Sequence, residues 1–115
     1  MGRSVGPEEP VRRRQVRWYT FRFPDKRRPV VILTRDPVAA RLERVTVAPV
    51  TTTIRGIRSE VLLDEADGMR ERCAINFDGL HTVEANRLGA VITFLRPERD
   101  PDLESAALYA LGFRA

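Results

Sequence analysis

Hydrophobic positions along this chain come in short runs separated by clusters of Pro, Gly, Asp and Arg, and within several runs they alternate with polar ones. A period of two puts one face of an extended segment into a core. Residues 16–23 (VRWYTFRF) are β-branched and aromatic with partial alternation, and predict a first strand. Residues 24–28 (PDKRR) predict a turn, because Pro24 fixes φ and Asp25 can bond its own backbone. Residues 29–34 (PVVILT) form a nearly continuous apolar run, as expected of a strand buried on both faces. Asp36-Pro37 then supplies a cap and a first helical residue for a short helix over 35–42. Residues 44–52 alternate Val45, Val47 and, past Pro49, Val50, predicting another strand.

Beyond a break at Gly56, the pattern predicts a strand over 59–64, a polar loop over 65–72, and a strand over 73–77 that ends in an Asp78-Gly79 turn. Residues 84–90 predict one helical turn stopped by Gly89, and 90–95 a last strand. Residues 100–113 have Leu103, Ala106, Ala107 and 109–111 near helical spacing, with Pro101 at the start and Gly112 at the end, which predicts a C-terminal helix. The first eleven residues, with Gly2, Gly6, Pro7 and Pro10 and no apolar period, predict a flexible tail. Six short strands with sparse helices imply a mainly β (α+β) fold: a small, strongly curved antiparallel barrel with short helices, capped by the C-terminal one.

Composition narrows the function classes. A chain of 115 residues is expected to be one domain, here 12–115, with one modest core. It has no apolar run near the roughly 18 residues of a membrane helix and no signal-peptide pattern, so no membrane partner is expected and a cytoplasmic location is. Cys73 is the single cysteine, which fits a reducing compartment, and His81 is the single histidine. Together they argue against a zinc site and exclude a two-histidine acid/base pair within one chain. Asp64, Glu65 and Asp67 fall in the polar loop and are expected to be solvated rather than metal-binding. The net charge of +4 is uneven: residues 1–28 hold nine Arg or Lys against three Asp or Glu, and the rest hold eleven against thirteen. Such a basic third suits an electrostatic footprint for nucleic acid as well as it suits ordinary arginine-rich surface.

Neither a glycine-rich phosphate loop nor a Gly-x-Ser-x-Gly elbow is present. The segments KRRPVVIL, VAPVTTT and NFDGLHT carry the candidate chemistry. Arg28 precedes a run that will be buried, so it is held at the rim of the core. Thr51 and Thr52 end another strand. A rim guanidinium beside strand-end hydroxyls suits phosphate recognition, since Arg offers a planar fork of donors and Thr a further one. Asp78 and His81 flank a tight turn where side chains stay exposed. The residues alone thus reach a small β-barrel with a possible phosphate site.

Those three segments, in this order, resemble the MazF/PemK family of toxin endoribonucleases, over about residues 11–113. The Arg-Pro-Val-Val strand followed by Ala-Pro-Val-Thr is the most specific part. The resemblance implies an SH3-like (CcdB-like) barrel that forms a homodimer, binds single-stranded RNA along the dimer groove and is neutralised by a cognate antitoxin. It implies sequence-specific cleavage that needs no metal or other cofactor, in which the ribose 2′-OH attacks the adjacent phosphate to leave a 2′,3′-cyclic phosphate and a 5′-OH. It places the catalytic roles on Arg28 and Thr51, and RNA contacts on Lys26, Arg27, Thr52, Asn76, Asp78 and His81. Two departures stand out. The usual Arg-Gly-acid opening reads Arg13-Arg14-Gln15, and the loop after the first strand is short, with Asp25 its only acid. Asp25, Asp78 and His81 are all open as acceptors of the 2′-OH proton. Two other readings are a non-enzymatic, gyrase-directed toxin of the CcdB type and an RNA-binding barrel that has lost cleavage.

Overall fold

The computed structural model describes residues 8–22 and 26–113. Its strands are β1 (Gln15–Thr20), β2 (Arg27–Ile32), β3 (Arg44–Thr51), β4 (Glu60–Leu63), β5 (Cys73–Asn76), β6 (His81–Glu84) and β7 (Val91–Phe94), and its helix is α1 (Asp100–Leu111). They form one curled antiparallel sheet in the order β4-β5-β3-β2-β1-β7, with β6 added to β3. The long strand β3 organises it. One edge pairs with β2. The other edge pairs with β6 over Arg44–Val47 and with β5 at Val50 and Thr51.

The apolar run of β2 is buried on both faces, as its sequence predicts. Val31 joins a core with Ala48, Val50, Ile75 and Phe77 that Leu103 and Ala106 of α1 close. Val30 and Ile32 face a second core with Val45, Val47 and Val83, against which Tyr19 and Phe21 pack. Within β2 and β3 neighbouring side chains therefore serve different cores, which is why a curled sheet suits this pattern. Helix α1 ends at Gly112, whose φ of 84° is the left-handed cap that glycine adopts without strain.

The entry to β1 is polar yet buried. Arg17 is fully buried and donates to the carbonyls of Gly89 (2.9 Å) and Glu9 (3.0 Å) and to Gln15 Oε1 (3.1 Å). Burial lowers its pKa, and the nearby carboxylates of Glu9 and Glu8 oppose that shift. Gln15 is also fully buried, donates to the Pro10 carbonyl and accepts from Arg12 N–H. These bonds hold residues 9–12 against the barrel, and Val11 packs on the second core; residues 1–7 of the expected tail lie outside the described residues. Arg14 has a φ of 76°. It is the position where the resemblance expects glycine, and its guanidinium reaches Asp100 of α1 at 3.0 Å.

Three local expectations are corrected. Strand β6 lies where a turn alone was expected: its four residues expose all but Val83, so no apolar alternation marks it. The short helix shrinks to a single 3-10 turn at Val38–Ala40, preceded by a cis Asp36-Pro37 bond, and Asp36 accepts from Arg13 N–H instead of capping the turn. The acidic loop is not simply solvated. Asp64 and Asp67 form a capping box around the 3-10 turn Glu65–Asp67, and the Asp67 carboxylate, 3% exposed, meets Arg99 at 2.7 Å.

Candidate active site

The ladder between β2 and β3 runs from Ile32–Val47 to Val30–Pro49, two residues short of Arg28 and Thr51. Its register, if continued, would bring those two residues opposite each other. Directly opposed residues of an antiparallel pair project from the same face. Arg28 lies within β2 rather than just before it, paired with Tyr19 of β1 on its other side. Pro29 sits in mid-strand without cost toward β1. Its partner there, Trp18, directs its own N–H and C=O away, to Ala90 and Gly89.

The electrostatics favour an anion. Lys26, Arg27 and Arg28 are all exposed, and none has a carboxylate partner among the described residues. The Arg27 guanidinium lies over the Trp18 ring at 4.3 Å, a contact that orients the cation without neutralising it. Thr51 Oγ1 accepts from Thr53 N–H at 3.0 Å. With a lone pair so engaged, the hydroxyl proton is left to donate outward. Thr52, next to it, is exposed.

Two clefts flank this pair. One, of about 420 Å3, is lined by Trp18, Pro29, Val50, Thr51, Thr52 and Met69, with Arg70, Glu71, Cys73 and Ile92 completing it. The other, of about 160 Å3, is lined by Phe21, Arg28, Pro49 and His81. Thr51 thus lines one cleft and Arg28 the other; Pro29 and Val50 in the first alternate along β2 and β3 with Arg28 and Pro49 in the second, so the two clefts open on opposite faces of the sheet.

A family model described as "PemK-like, MazF-like toxin of type II toxin-antitoxin system" matches residues 12–109. The chain belongs to the PemK/MazF-like toxin family. Endoribonuclease MazF3 of Mycobacterium tuberculosis (strain ATCC 25618 / H37Rv) is 42% identical over 82 residues, covering 71% of this toxin chain and 80% of its own. Probable endoribonuclease MazF5 of the same strain is 50% identical over 68 residues, 55% of this chain and 62% of its own. Among solved structures, Mycobacterium tuberculosis toxin MazF-mt6 superposes with a TM-score of 0.79 at 36% identity, over 86% of this chain and 97% of that one. An endoribonuclease from a mycobacterial species, solved in complex with its cognate antitoxin, shares the fold with a TM-score of 0.79 at 22% identity, over 91% and 98% of the two chains.

Other residues expected at the toxin's site already hold structural bonds. Asn76 Oδ1 accepts from Asp78 N–H and caps the 3-10 turn Phe77–Gly79, which leaves its amide NH2 group to donate. Asp78 accepts the hydroxyl of Ser59 at 2.6 Å, satisfying a side chain that is 2% exposed. His81 opens β6 opposite Val47 of β3. Asp25 lies outside the described residues. The aromatic parts of the site, Trp18 and Phe21, were not singled out from the sequence, although their place in a strand that ends beside a basic turn was a usable signal. Cys73, though in the wall of the larger cleft, is buried, and burial raises its thiol pKa, with Glu71, Asp67 and Asp64 adding to the effect.

Proposed function

We propose that this chain is the toxin of a type II toxin–antitoxin pair and a sequence-specific endoribonuclease, with Arg28 and Thr51 as its catalytic residues. What supports this reading is an exposed guanidinium with no counter-charge among the described residues, on the strand next to one that ends in a threonine whose hydroxyl proton has no partner among them. Two such donors suit the charge that builds on the non-bridging oxygens when the ribose 2′-OH attacks the phosphate. Arg28 acts electrostatically, because guanidinium holds its proton too tightly to be an efficient general acid near neutrality. The scissile phosphate is taken to sit at Arg28, with Thr51 of the neighbouring strand as a second donor.

Single-stranded RNA is the substrate this site fits, since splayed bases can stack on Trp18 and on the edge of the Phe21–His81 pair. RNA contacts are assigned to Lys26, Arg27, Thr52, the Asn76 amide and His81, and to Asp78, which also holds Ser59. The products are a 2′,3′-cyclic phosphate and a 5′-OH, and no metal is required. The chain acts in the cytoplasm as a homodimer of the 12–115 domain, and an acidic antitoxin segment covers the same basic groove. No helix among the described residues is long and apolar enough to cross a membrane.

The test is cleavage of a long viral RNA in EDTA, with fragment ends characterised. Each of Arg28→Ala and Thr51→Ala is expected to lower the cleavage rate by about 10²–10³, the usual loss for one preorganised donor. Gyrase-dependent DNA breaks without RNA cleavage, or tight RNA binding without cleavage, would replace the reading. Arg28→Ala acting at the wild-type rate would remove its catalytic assignment.

A further inference from the structure

We infer that His81 is the proton acceptor for the attacking 2′-OH, an assignment that rests on the endoribonuclease reading above. Three observations carry it. First, His81 lines the same 160 Å3 cleft as Arg28, with Phe21 and Pro49 completing the walls among the described residues. A base and a charge stabiliser that share one small cleft can address one phosphate and the ribose attached to it. Second, the ring is held from two sides: its Nδ1 lies 2.5 Å from the Gly79 carbonyl, and Phe21 meets it edge-on with centroids 5.2 Å apart. Phe21 is itself braced by Tyr19 at 4.9 Å.

Third, the Gly79 contact fixes the tautomer. A carbonyl oxygen only accepts, so Nδ1 carries the proton, and in the neutral ring Nε2 then carries the lone pair. Nε2 has no partner among the described residues. This is the arrangement that turns an imidazole into a directed base. The rival acid within the described residues, Asp78, has one carboxylate oxygen taken by the Ser59 hydroxyl.

The step balances without a co-reactant. His81 Nε2 takes the 2′-OH proton as the O2′–P bond forms. The P–O5′ bond then breaks, O5′ leaves with the electron pair and takes a proton from water, and the imidazolium returns its proton to solvent.

The test uses the full chain and a synthetic oligonucleotide spanning a cut mapped on a long viral RNA. His81→Asn keeps a donor for the Gly79 carbonyl, and His81→Ala opens the cleft. Both are expected to cleave about 10²–10⁴-fold more slowly. Affinity for the same oligonucleotide with a 2′-deoxy sugar at the cut is expected to change by less than about threefold, well under the tenfold of 1.4 kcal/mol. Added imidazole is expected to restore part of the His81→Ala rate. A substrate with sulfur in place of O5′ separates the roles, because thiolate leaves without protonation: His81→Asn should remain slow on it. Wild-type rates in both variants, a rate loss matched by lost affinity, or full rescue by the sulfur substrate would each overturn the assignment. Arg28→Ala run in parallel keeps the two readings distinct. If it is slow while both His81 variants are fast, only the present inference falls; if it is fast, the underlying reading falls.

Discussion

Arg14→Gly should leave stability almost unchanged, whereas the apparently milder Arg14→Ala should lower it. Arg14 holds a φ of 76°, a region that costs an L-residue roughly 1–2 kcal/mol. It cannot relax, because its N–H donates to the Ile32 carbonyl and its own carbonyl accepts from Leu95 N–H. Glycine relieves the strain but adds about 0.4–1 kcal/mol of unfolded-chain entropy. Either substitution also removes the ion pair with Asp100, whose side chains are 25% and 49% exposed. Such a partly exposed pair contributes about 0–1 kcal/mol. The terms nearly cancel for glycine. Alanine keeps the strain and loses the pair, so it should be about 1 kcal/mol less stable than glycine. In a domain of this size that is a difference in Tm of roughly 4 °C. Urea melts of the wild type and both variants, at one protein concentration because the chain is expected to dimerise, give the comparison. Alanine matching or exceeding glycine would refute the reasoning, and RNA cleavage should be unaffected in both.

Gly68→Ala should be far more damaging than Gly56→Ala. Both glycines have positive φ, but a Cβ at Gly68 would sit 2.2 Å from Thr93 Oγ1, while none of the surroundings lies within 4 Å at Gly56. Losses of more than about 2 kcal/mol against about 1 kcal/mol are expected in urea melts. Asp67→Ala leaves Arg99 without its buried partner and should cost about 3–5 kcal/mol, with a smaller loss for Asp67→Asn. Cys73 should react slowly with thiol reagents until the chain is denatured. Its pKa is raised in the fold, so the folded state holds the proton more tightly, and stability should fall as pH rises above the ordinary thiol range near about 8.5. Cys73→Ala should abolish that slope in pH-dependent melts.

Strands with apolar content on both faces were legible in the sequence, because Val30, Val31 and Ile32 cannot be placed except between two cores. The helix was legible from Pro101 and Gly112 at its ends. Strand β6 was not, because its place comes from backbone pairing with β3 and only Val83 turns inward. Burial of Gln15, Arg17 and Asp67 was equally hidden: a polar side chain enters a core only when distant groups satisfy it, here carbonyls as far along the chain as Gly89 and a guanidinium from Arg99. The basic N-terminal third divides accordingly. Arg17 is structural and Arg14 pairs with the helix, while Lys26, Arg27 and Arg28 face outward, as do Arg12, Arg13 and Arg22. The proposal that Arg28 and Thr51 act together came from family resemblance; alternation along the strands alone did not suggest it, and the β2–β3 ladder ends two residues short of the pair.

The division of β3 between two partners has a thermal consequence. Thr51 lies in the half bonded to β5, and Arg28 lies on the strand bonded to the other edge. Fraying of β4 and β5 alone would release Thr51 while β1, and with it Trp18, stayed folded. Trp18 is the only tryptophan. On warming, cleavage should therefore fade before tryptophan fluorescence reports melting, and the gap between the two curves would measure how independently the two halves of the sheet come apart.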